Sequence, residues 1–387
     1  MNILIAYFEN LGNAVGGLER VICDFSNEFI RRRHHVTVVT FDKTQNPPYY
    51  SIDRAVSIIN LQKEKILHIS GLEKVEREIY RIGGRASVRQ WKFSWKRRHG
   101  VSDFAGVVKK VNPDVIVSFE TMTSREIIEE GIKIPLITSL QNDSEICCRG
   151  LPDGEIKAIK ESTAVHVLLK SFAGFITKWV DEEKIRDIPN VIPQFEFPVP
   201  LEKHKDHFRI INVARLNKKQ KRQEILIRAF ALLAGKYPDW SLEFWGEDTS
   251  NYKKELESLI HHYHLERQVF LKGSTHEINE VYRQADILGF PSKYEGFSLA
   301  LGEAMSAGLP VVGFDSCNSV RGIVTNGVDG ILSADGVPAL AKALEELMQN
   351  PKKRIAMGKA AHESMKAYRA EHVWNQWENL LRTVTSK

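Results

Sequence analysis

Residues Pro291 to Asp315 read PSKYEGFSLALGEAMSAGLPVVGFD, and this stretch parses as a strand end, a tight loop, a helix, a turn and a second strand. Just upstream, Ala285 to Phe290 is an apolar run of strand length. Pro291 ends that run, Gly296 breaks the loop, and Ser298 is placed to cap the helix that follows. Leu299, Leu301, Gly302, Ala304, Met305 and Ala307 make the helix small and apolar on most sides, which predicts burial. Gly308 stops it and Pro310-Val311-Val312-Gly313 opens the next strand. Strand, helix and strand at this spacing form a βαβ unit, and hence a parallel sheet.

Two carboxylates bracket the helix start, Glu295 in the loop and Glu303 about two turns further on. The amides of Gly296, Phe297, Ser298 and Leu299 lie at a positive helix end, where an anion is favoured. Glu295 could equally be a solvated loop charge and Glu303 a surface charge. A carboxylate on so apolar a helix, however, needs a partner.

The 387 residues suit two domains of ordinary size, and 43% hydrophobic with 27% charged residues describes a globular chain. There is no apolar run long enough to span a bilayer. Met1 leads into Asn2–Tyr7, which reads as a first strand rather than a signal peptide. Cys23, Cys147, Cys148 and Cys317 lack metal-ligand spacing, and the adjacent pair is poorly placed for a disulfide, so a reducing cytosol is expected. A net charge of +5 is mild, which makes its location matter more than its total.

In the first half, the strand Ile3–Phe8 runs into a glycine-rich turn with Gly16 and Gly17 and then a helix over Leu18–Arg33. The turn is not G-x-G-x-x-G, so the dinucleotide fingerprint fails. Strands follow at His35–Phe41 and, more weakly, Ala55–Leu61. Between Ile79 and Ser102 there is no acidic residue, while Arg85, Arg89, Lys92, Lys96, Arg97 and Arg98 stand among Trp91, Phe93 and Trp95. This is a solvated basic helix, a contact for an anionic membrane surface, or a groove for an anionic acceptor. Nucleic acid ranks behind these because no nucleic-acid motif accompanies the patch. The strand Pro113–Phe119 ends at Glu120 and Thr121, and Pro135–Leu140 ends at Gln141-Asn142-Asp143, polar residues at strand ends where α/β proteins bind ligands. Thr163–Leu169 is a further strand, with His166 read as a satisfied core histidine. Pro198, Pro200 and charged Glu202–Asp206 suit a linker.

In the second half, the strand Phe208–Ala214 meets Arg215, Lys218, Lys219, Lys221 and Arg222 before a helix marked by Leu226, Ile227, Ala229, Phe230 and Leu233. Trp240–Gly246 and Val269–Leu271 are strands around a helix near Tyr252–Tyr263, with Gly273–His276 a loop beyond them. Leu340–Met348, Ile355–Ala367 and Glu371–Val384 are helices. On the last, Trp374 and Trp377 are packing anchors rather than stacking platforms.

The pattern E-G-F-S-x4-E-A-M-x-x-G-x-P-V-V from Glu295 to Val312 resembles the E-x7-E signature of the family 4 retaining glycosyltransferases, which adopt the GT-B fold. Companion segments extend the resemblance over nearly the whole chain. Gly16-Gly17-x-Glu19-Arg20 looks like the family's N-domain glycine loop. Ile188-Pro189-Asn190 looks like its segment before the interdomain linker. Arg215-Leu216 with a following lysine looks like its G-R-L…K motif, with Ala214 in place of glycine. The helix-anchored count puts Lys221 at the family lysine, while one inserted residue keeps Lys218 and Lys219 open.

The resemblance implies two doubly wound, parallel-sheet, Rossmann-like domains facing a cleft. Residues 1–192 would bind the acceptor, 193–207 link, 208–368 bind the nucleotide-sugar, and 369–387 form a helix crossing back to the first domain. It implies a hexosyltransferase-type enzyme moving a sugar, UDP-linked, to a hydroxyl of a glycan or lipid-linked acceptor in cell-surface polysaccharide or lipopolysaccharide synthesis. Arg215 and Lys221 would stabilise the diphosphate, Gly16, Gly17 and the Gly296–Leu299 amides would face phosphate, Glu303 the ribose, and Glu295 the donor sugar. Glu120, where many members carry His or Asp, would line an acceptor or sugar pocket with Thr121 and Asn142. With no D-x-D tract where a metal-dependent transferase would need one, no metal or cofactor is expected beyond the nucleotide-sugar co-substrate. The expected location is the cytoplasm, on the inner face of a membrane through Arg85, Arg89, Trp91, Lys92, Trp95, Lys96, Arg97 and Arg98. A sugar-nucleotide epimerase of the same fold and an inactive nucleotide-sugar-binding scaffold are the alternatives.

Overall fold

The computed structural model describes residues 1–42, 46–62, 69–201, 206–248 and 251–386. Most of the charged linker segment expected at Glu202–Asp206 therefore lies outside the described residues. Two units are formed: Met1–Pro189 with Trp374–Lys387, and Asn190–Val373. Each is a parallel-sheet α/β domain of Rossmann type.

The first unit holds seven strands, β1 (Asn2–Tyr7), β2 (His35–Thr40), β3 (Ser57–Asn60), β4 (Val115–Ser118), β5 (Leu136–Leu140), β6 (Ala164–Val167) and β7 (Ile185–Asp187). Their order is β3-β2-β1-β4-β5-β6-β7, with every ladder parallel. Helices cover both faces, so the central strands are apolar along their length: Ile3 to Tyr7 of β1 and all of β4 and β5 are buried. The helix Gly17–Arg31 turns Ile22, Phe25 and Phe29 inward at three- and four-residue spacing. The C-terminal helix, Ala370–Thr385, closes the same core. Trp374 and Trp377 meet the Phe25 ring edge-on, with centroids 6.0 and 5.1 Å away, and Arg32 Nη1 donates to Glu378 Oε2 at 2.5 Å. Both tryptophans are buried packing residues.

The second unit holds β8 (Phe208–Val213), β9 (Trp240–Trp245), β10 (Val269–Gly273), β11 (Ile287–Phe290), β12 (Val311–Phe314) and β13 (Gly330–Ser333). The order β10-β9-β8-β11-β12-β13 is again wholly parallel. Leu226, Phe230, Trp240, Phe244 and Phe314 are central to its core. In both sheets the winding reverses beside the first strand, between β1 and β4 and between β8 and β11. The carboxyl ends of those strands are where open α/β sheets bind ligands. Strands β7 and β13, three and four residues long, are edge strands that the sequence reading did not separate from loop.

Candidate functional site

The second unit's switch point is built from two loops. The first follows β8. Ala214 donates its amide to the Trp245 carbonyl (2.9 Å), and Leu216 donates to Glu247 (2.8 Å), which ties this loop to the end of β9. Gly246 permits that approach: it sits at φ +152°, and a Cβ there would stand 2.1 Å from the Ala214 oxygen. Asn217 then shapes the turn. Its side-chain oxygen accepts from the Gln220 amide at 2.9 Å, and its carbonyl accepts from the amides of Lys221 (2.9 Å) and Arg222 (3.1 Å). The fully buried Gln223 donates to the Arg215 carbonyl at 3.0 Å and accepts from the Asn217 amide at 3.2 Å. Arg222, at φ +51°, turns the chain into the helix Gln223–Ala231.

This turn brings Lys221 to the second loop. Its ammonium pairs with the Glu295 carboxylate, and the two side chains are only 15% and 7% exposed. Gln220 fastens the loops further, accepting from the Lys293 amide at 2.8 Å and donating to the Tyr294 carbonyl at 3.2 Å. Of the three lysines left open by the sequence, Lys221 is thus the one that meets the E-x7-E loop. Lys218 pairs with Glu255, Lys219 is exposed, and Arg215 is exposed at the rim of the same loop.

Beyond Glu295 the chain enters the helix Leu299–Ser306. Ser298 holds the N-cap position with φ −70° and ψ 104°, but its side chain makes no capping bond, which corrects the capping expected from sequence. The helical ladder opens with Gly302 donating to the Ser298 carbonyl at 3.1 Å. The amides of Leu299, Ala300 and Leu301 come before it, in the positively polarised first turn. Phe297 is buried, its ring centre 5.3 Å from that of Tyr368. Glu303 is the fifth helical residue, just over one turn in rather than two. It is half-buried, and the partner expected for it includes buried Tyr282, whose hydroxyl donates to Oε2 at 3.1 Å. Gly302 lets Ile192 lie against this helix, since a Cβ would stand 2.4 Å from the Ile192 Cδ1.

Arg222 is a site residue that sequence reasoning missed. Its Nε donates to the Pro291 carbonyl at 3.0 Å, its guanidinium lies 4.8 Å from the centre of the Phe314 ring, and its Nη2 is 3.7 Å from the Asp335 carboxylate. Among the described residues, Arg222 Nη2, Ser292 Oγ and Ser319 Oγ are buried without a hydrogen-bond partner, all beside the ends of β11 and β12. The run KKQKRQ hid Arg222, because its role depends on the left-handed turn rather than on its charge. Nearby Cys317 is no nucleophile: burial pushes its thiol up to about 11, so it stays protonated.

The first unit gathers a second polar cluster at its own switch point. Gly16 caps the helix Gly17–Arg31 in an extended conformation, and Glu19 in its first turn accepts from the Tyr7 hydroxyl at 2.8 Å. Burial, with the Glu19 charge beside it, raises the Tyr7 pKa far above the ordinary phenol value. Glu9, just past β1, pairs with Lys92 and with Lys96 (2.7 Å). Burial works against its charge, but the Lys96 and Lys92 ammonium groups outweigh burial and hold the carboxyl at about 2. Glu120, at the end of β4, lies 4.0 Å from Lys96. Burial, reinforced by the Glu9 charge, raises its pKa despite the Lys96 ammonium, and its Oε2 has no hydrogen-bond partner among the described residues.

Thr121 donates to buried Glu155 at 2.5 Å, and Asn142 Oδ1 accepts from the Asp143 amide at 2.8 Å. His166 is a satisfied core residue: Nδ1 lies 2.7 Å from Ser139 Oγ and Nε2 lies 2.7 Å from the Ile188 carbonyl. Since a carbonyl only accepts, Nε2 carries the proton.

The basic stretch requires a correction. It forms the helix Gly84–Arg98, but Trp91, Trp95 and Lys96 are 5%, 4% and 4% exposed and pack in the core with Phe8, Phe41 and Phe104. Arg89 holds Glu155, Lys92 and Lys96 hold Glu9, Arg97 reaches Glu126, Glu129 and Glu130, Arg98 holds Glu76, and Arg85 donates to the Ile146 and Cys147 carbonyls. All of these cations but Arg85 pair with carboxylates elsewhere in the fold, and the buried tryptophans are not available to a membrane. No helix of the described residues is long and apolar enough to cross one.

Residues 194–364 match the family model described as Glycosyl transferases group 1. That span contains both loops of the second unit's switch point. The chain is 24% identical to an exopolysaccharide phosphotransferase of Streptomyces coelicolor over 99% of its own length and 41% of that protein's. It therefore spans about two fifths of the Streptomyces relative. It is 22% identical to an amylovoran biosynthesis glycosyltransferase of Erwinia amylovora, over 98% of this chain and 99% of that one. Among solved structures, Anabaena HepE in complex with UDP aligns over 100% of both chains with a TM-score of 0.71 at 17% identity, a likeness of fold.

Proposed function

We propose that the chain is a retaining glycosyltransferase that moves a sugar from a nucleotide-sugar, UDP-linked, to a hydroxyl of a glycan or lipid-linked acceptor in cell-surface polysaccharide synthesis. The observation that carries this reading is the pairing of Lys221 with Glu295 beside the open first turn of the helix Leu299–Ser306. One ammonium, one carboxylate and a positive helix end converge at the switch point of a doubly wound sheet, inside the segment matching the group 1 family. The aligned UDP complex supports the choice of nucleotide.

In this reading the donor lies on the second unit. The bond between the sugar's anomeric carbon and the diphosphate breaks, the acceptor oxygen bonds to that carbon, and its proton passes to an oxygen of the departing diphosphate. Negative charge grows on the departing diphosphate. Lys221, Arg215 and the first amides of the helix stabilise that charge, and no metal is required. Glu303, held by Tyr282, accepts from the ribose hydroxyls. Glu295 contacts the donor sugar and keeps Lys221 aimed. On the first unit, Gly16 and Gly17 stand at the start of the helix Gly17–Arg31, and Glu120 with Glu9, Lys92 and Lys96 lines the acceptor or sugar pocket.

The test is incubation with a panel of nucleotide-sugars, alone and with oligosaccharide or lipid-linked acceptors, read by mass spectrometry and by the anomeric configuration of the product. Acceptor-dependent transfer with retained configuration is expected. Isomerised nucleotide-sugar without an acceptor would mean an epimerase, and binding without turnover a scaffold.

A further inference from the structure

Between β2 and β3 the chain carries Pro47-Pro48-Tyr49-Tyr50, a motif that the proposed transfer does not use. This loop is fixed to the elements beside it. Buried Asp42, just past β2, accepts from the amides of Leu11 (2.5 Å) and Gly12 (2.8 Å) in the glycine-rich turn. Asn13 donates its amide to the Pro47 carbonyl at 3.0 Å, and Gly12 and Pro48 form an isolated antiparallel bridge. Glycine is needed for that approach, since a Cβ on residue 12 would stand 2.4 Å from the Asn46 oxygen. Further along, Asn27 of the helix Gly17–Arg31 donates to the Ser51 carbonyl at 2.9 Å and accepts from the Asp53 amide at 2.7 Å. Two prolines of fixed φ stiffen what these bonds hold. The motif is thereby kept at the carboxyl end of β2, next to the first unit's switch point.

Within this braced loop Tyr49 is 50% exposed, and Val15 on the neighbouring glycine-rich turn is 49% exposed. The Tyr49 and Tyr50 rings stand at 86° with centroids 5.2 Å apart. Such an edge-to-face contact covers at most one face of either ring, so Tyr49 is held in plane and keeps a face for another ring. Charged groups border the pair. Burial raises the Tyr50 phenol above its ordinary pKa, the Arg20 guanidinium opposes that rise, and the Glu19 and Asp24 carboxylates add to it. Arg20 and Asp24 lie 3.7 Å apart on one face of their helix, 33% and 51% exposed. An immobilised aromatic face beside a guanidinium and a carboxylate suits a pyranose. The sugar's C–H face carries partial positive charge and meets the electron-rich ring, while its hydroxyls reach the charged groups. One ring and one valine offer far less than the roughly 800 Å² that a protein partner buries on each side. A phosphate-bearing ligand would meet two carboxylates against one guanidinium.

Resting on the reading that the first unit binds the acceptor, we propose that Tyr49 is the stacking platform for an uncharged pyranose ring of a glycan acceptor. Tyr50 holds the plane of the platform, and Arg20 and Asp24 take hydroxyls of the stacked sugar. Tyr49 selects which acceptors bind and has no part in breaking the donor bond.

The experiment applies the labelled full chain, with and without saturating UDP, to a printed array of neutral, uronate-bearing and phosphate-bearing oligosaccharides. Calorimetry then follows with the best-bound free oligosaccharide. The wild type should bind neutral oligosaccharides in preference to the anionic ones. Tyr49→Ala should weaken that binding about tenfold, and Tyr49→Phe should stay within about twofold of wild type, because the ring stacks and the hydroxyl does not. Tyr49 is half exposed, so both variants should melt as the wild type does and bind UDP equally well. In a transfer assay Tyr49→Ala should raise the acceptor KM by the same factor at nearly constant kcat. The proposal is overturned if the wild type binds no oligosaccharide on the array, if it binds only anionic ones, or if Tyr49→Ala binds undiminished. Binding that depends on Tyr49 without any sugar transfer would refute the transferase reading and uphold the platform. Transfer with an acceptor KM indifferent to Tyr49 would uphold the transferase and refute the platform.

Discussion

Replacing Lys221 by methionine and Glu295 by glutamine should move nucleoside diphosphate affinity in opposite directions. In the ligand-free protein the two charges are paired and almost enclosed, at 15% and 7% exposure. Lys221→Met removes an ammonium that would donate to a diphosphate oxygen, an interaction worth about 1.5–3 kcal/mol. It also leaves the Glu295 carboxylate uncompensated next to an anionic ligand. At roughly 5 Å and an effective dielectric of about 20, that repulsion has a ceiling near 3 kcal/mol. The combined loss should be about 2–4 kcal/mol, or roughly 30- to 1,000-fold in the dissociation constant. Glu295→Gln removes the competing carboxylate and frees Lys221, so the free diphosphate should bind about five- to tenfold more tightly while transfer slows. The double variant should recover part of the Lys221→Met loss. Titration calorimetry with UDP and a thermal melt for each variant are sufficient, the melt checking that an unpaired charge has not unfolded the unit. Equal weakening by both single changes, adding in the double, would refute the electrostatic reasoning.

Glu303→Ala should weaken nucleotide binding by about 1.5–3 kcal/mol, since the ribose hydroxyls lose a charged acceptor; calorimetry on the folded variant measures it. Arg215→Ala should lower turnover by about a hundredfold through lost stabilisation of the leaving diphosphate, measured by initial rates at saturating donor. EDTA should leave wild-type turnover unchanged, whereas loss with recovery on adding magnesium would demand a metal. Glu126 offers a pH test: burial raises its carboxyl from the ordinary 4.5 to about 7 despite Arg97 3.4 Å away. The folded state thus holds this proton more tightly, and stability should fall as pH rises from about 4.5 to about 7, by on the order of 3 kcal/mol. Glu126→Gln should raise the melting temperature by several degrees at pH 8 and hardly at pH 4.

Both sheets were legible because their central strands are buried on both faces and read as short apolar runs between turn residues. Strands β7 and β13 were not, since three or four residues at a sheet edge carry no distinctive pattern. The strand, loop and helix around the E-x7-E pattern were legible, but which of Lys218, Lys219 and Lys221 meets that loop was not fixed by spacing. That choice depends on Asn217 gathering the amides of Gln220, Lys221 and Arg222 into one turn. The basic helix misled for a related reason. Its partners Glu9, Glu126 and Glu155 lie tens of residues away in sequence, so its charges look unpaired in the linear pattern. The stripes of Gly17–Arg31 and Gly71–Ile82 show the same spacing, yet one is core and the other exposed. Periodicity reports which residues share a face, and only the fold says what covers it.

That the nucleotide is held at the ends of β8 and β11 is tested most directly by hydrogen exchange with and without saturating UDP. The account predicts slowed exchange in two segments of the second unit, Arg215 to Arg222 and Lys293 to Glu303, with the largest effect at the first amides of the helix Leu299–Ser306. Protection confined to other segments, or bound UDP that leaves both of these unchanged, would contradict it.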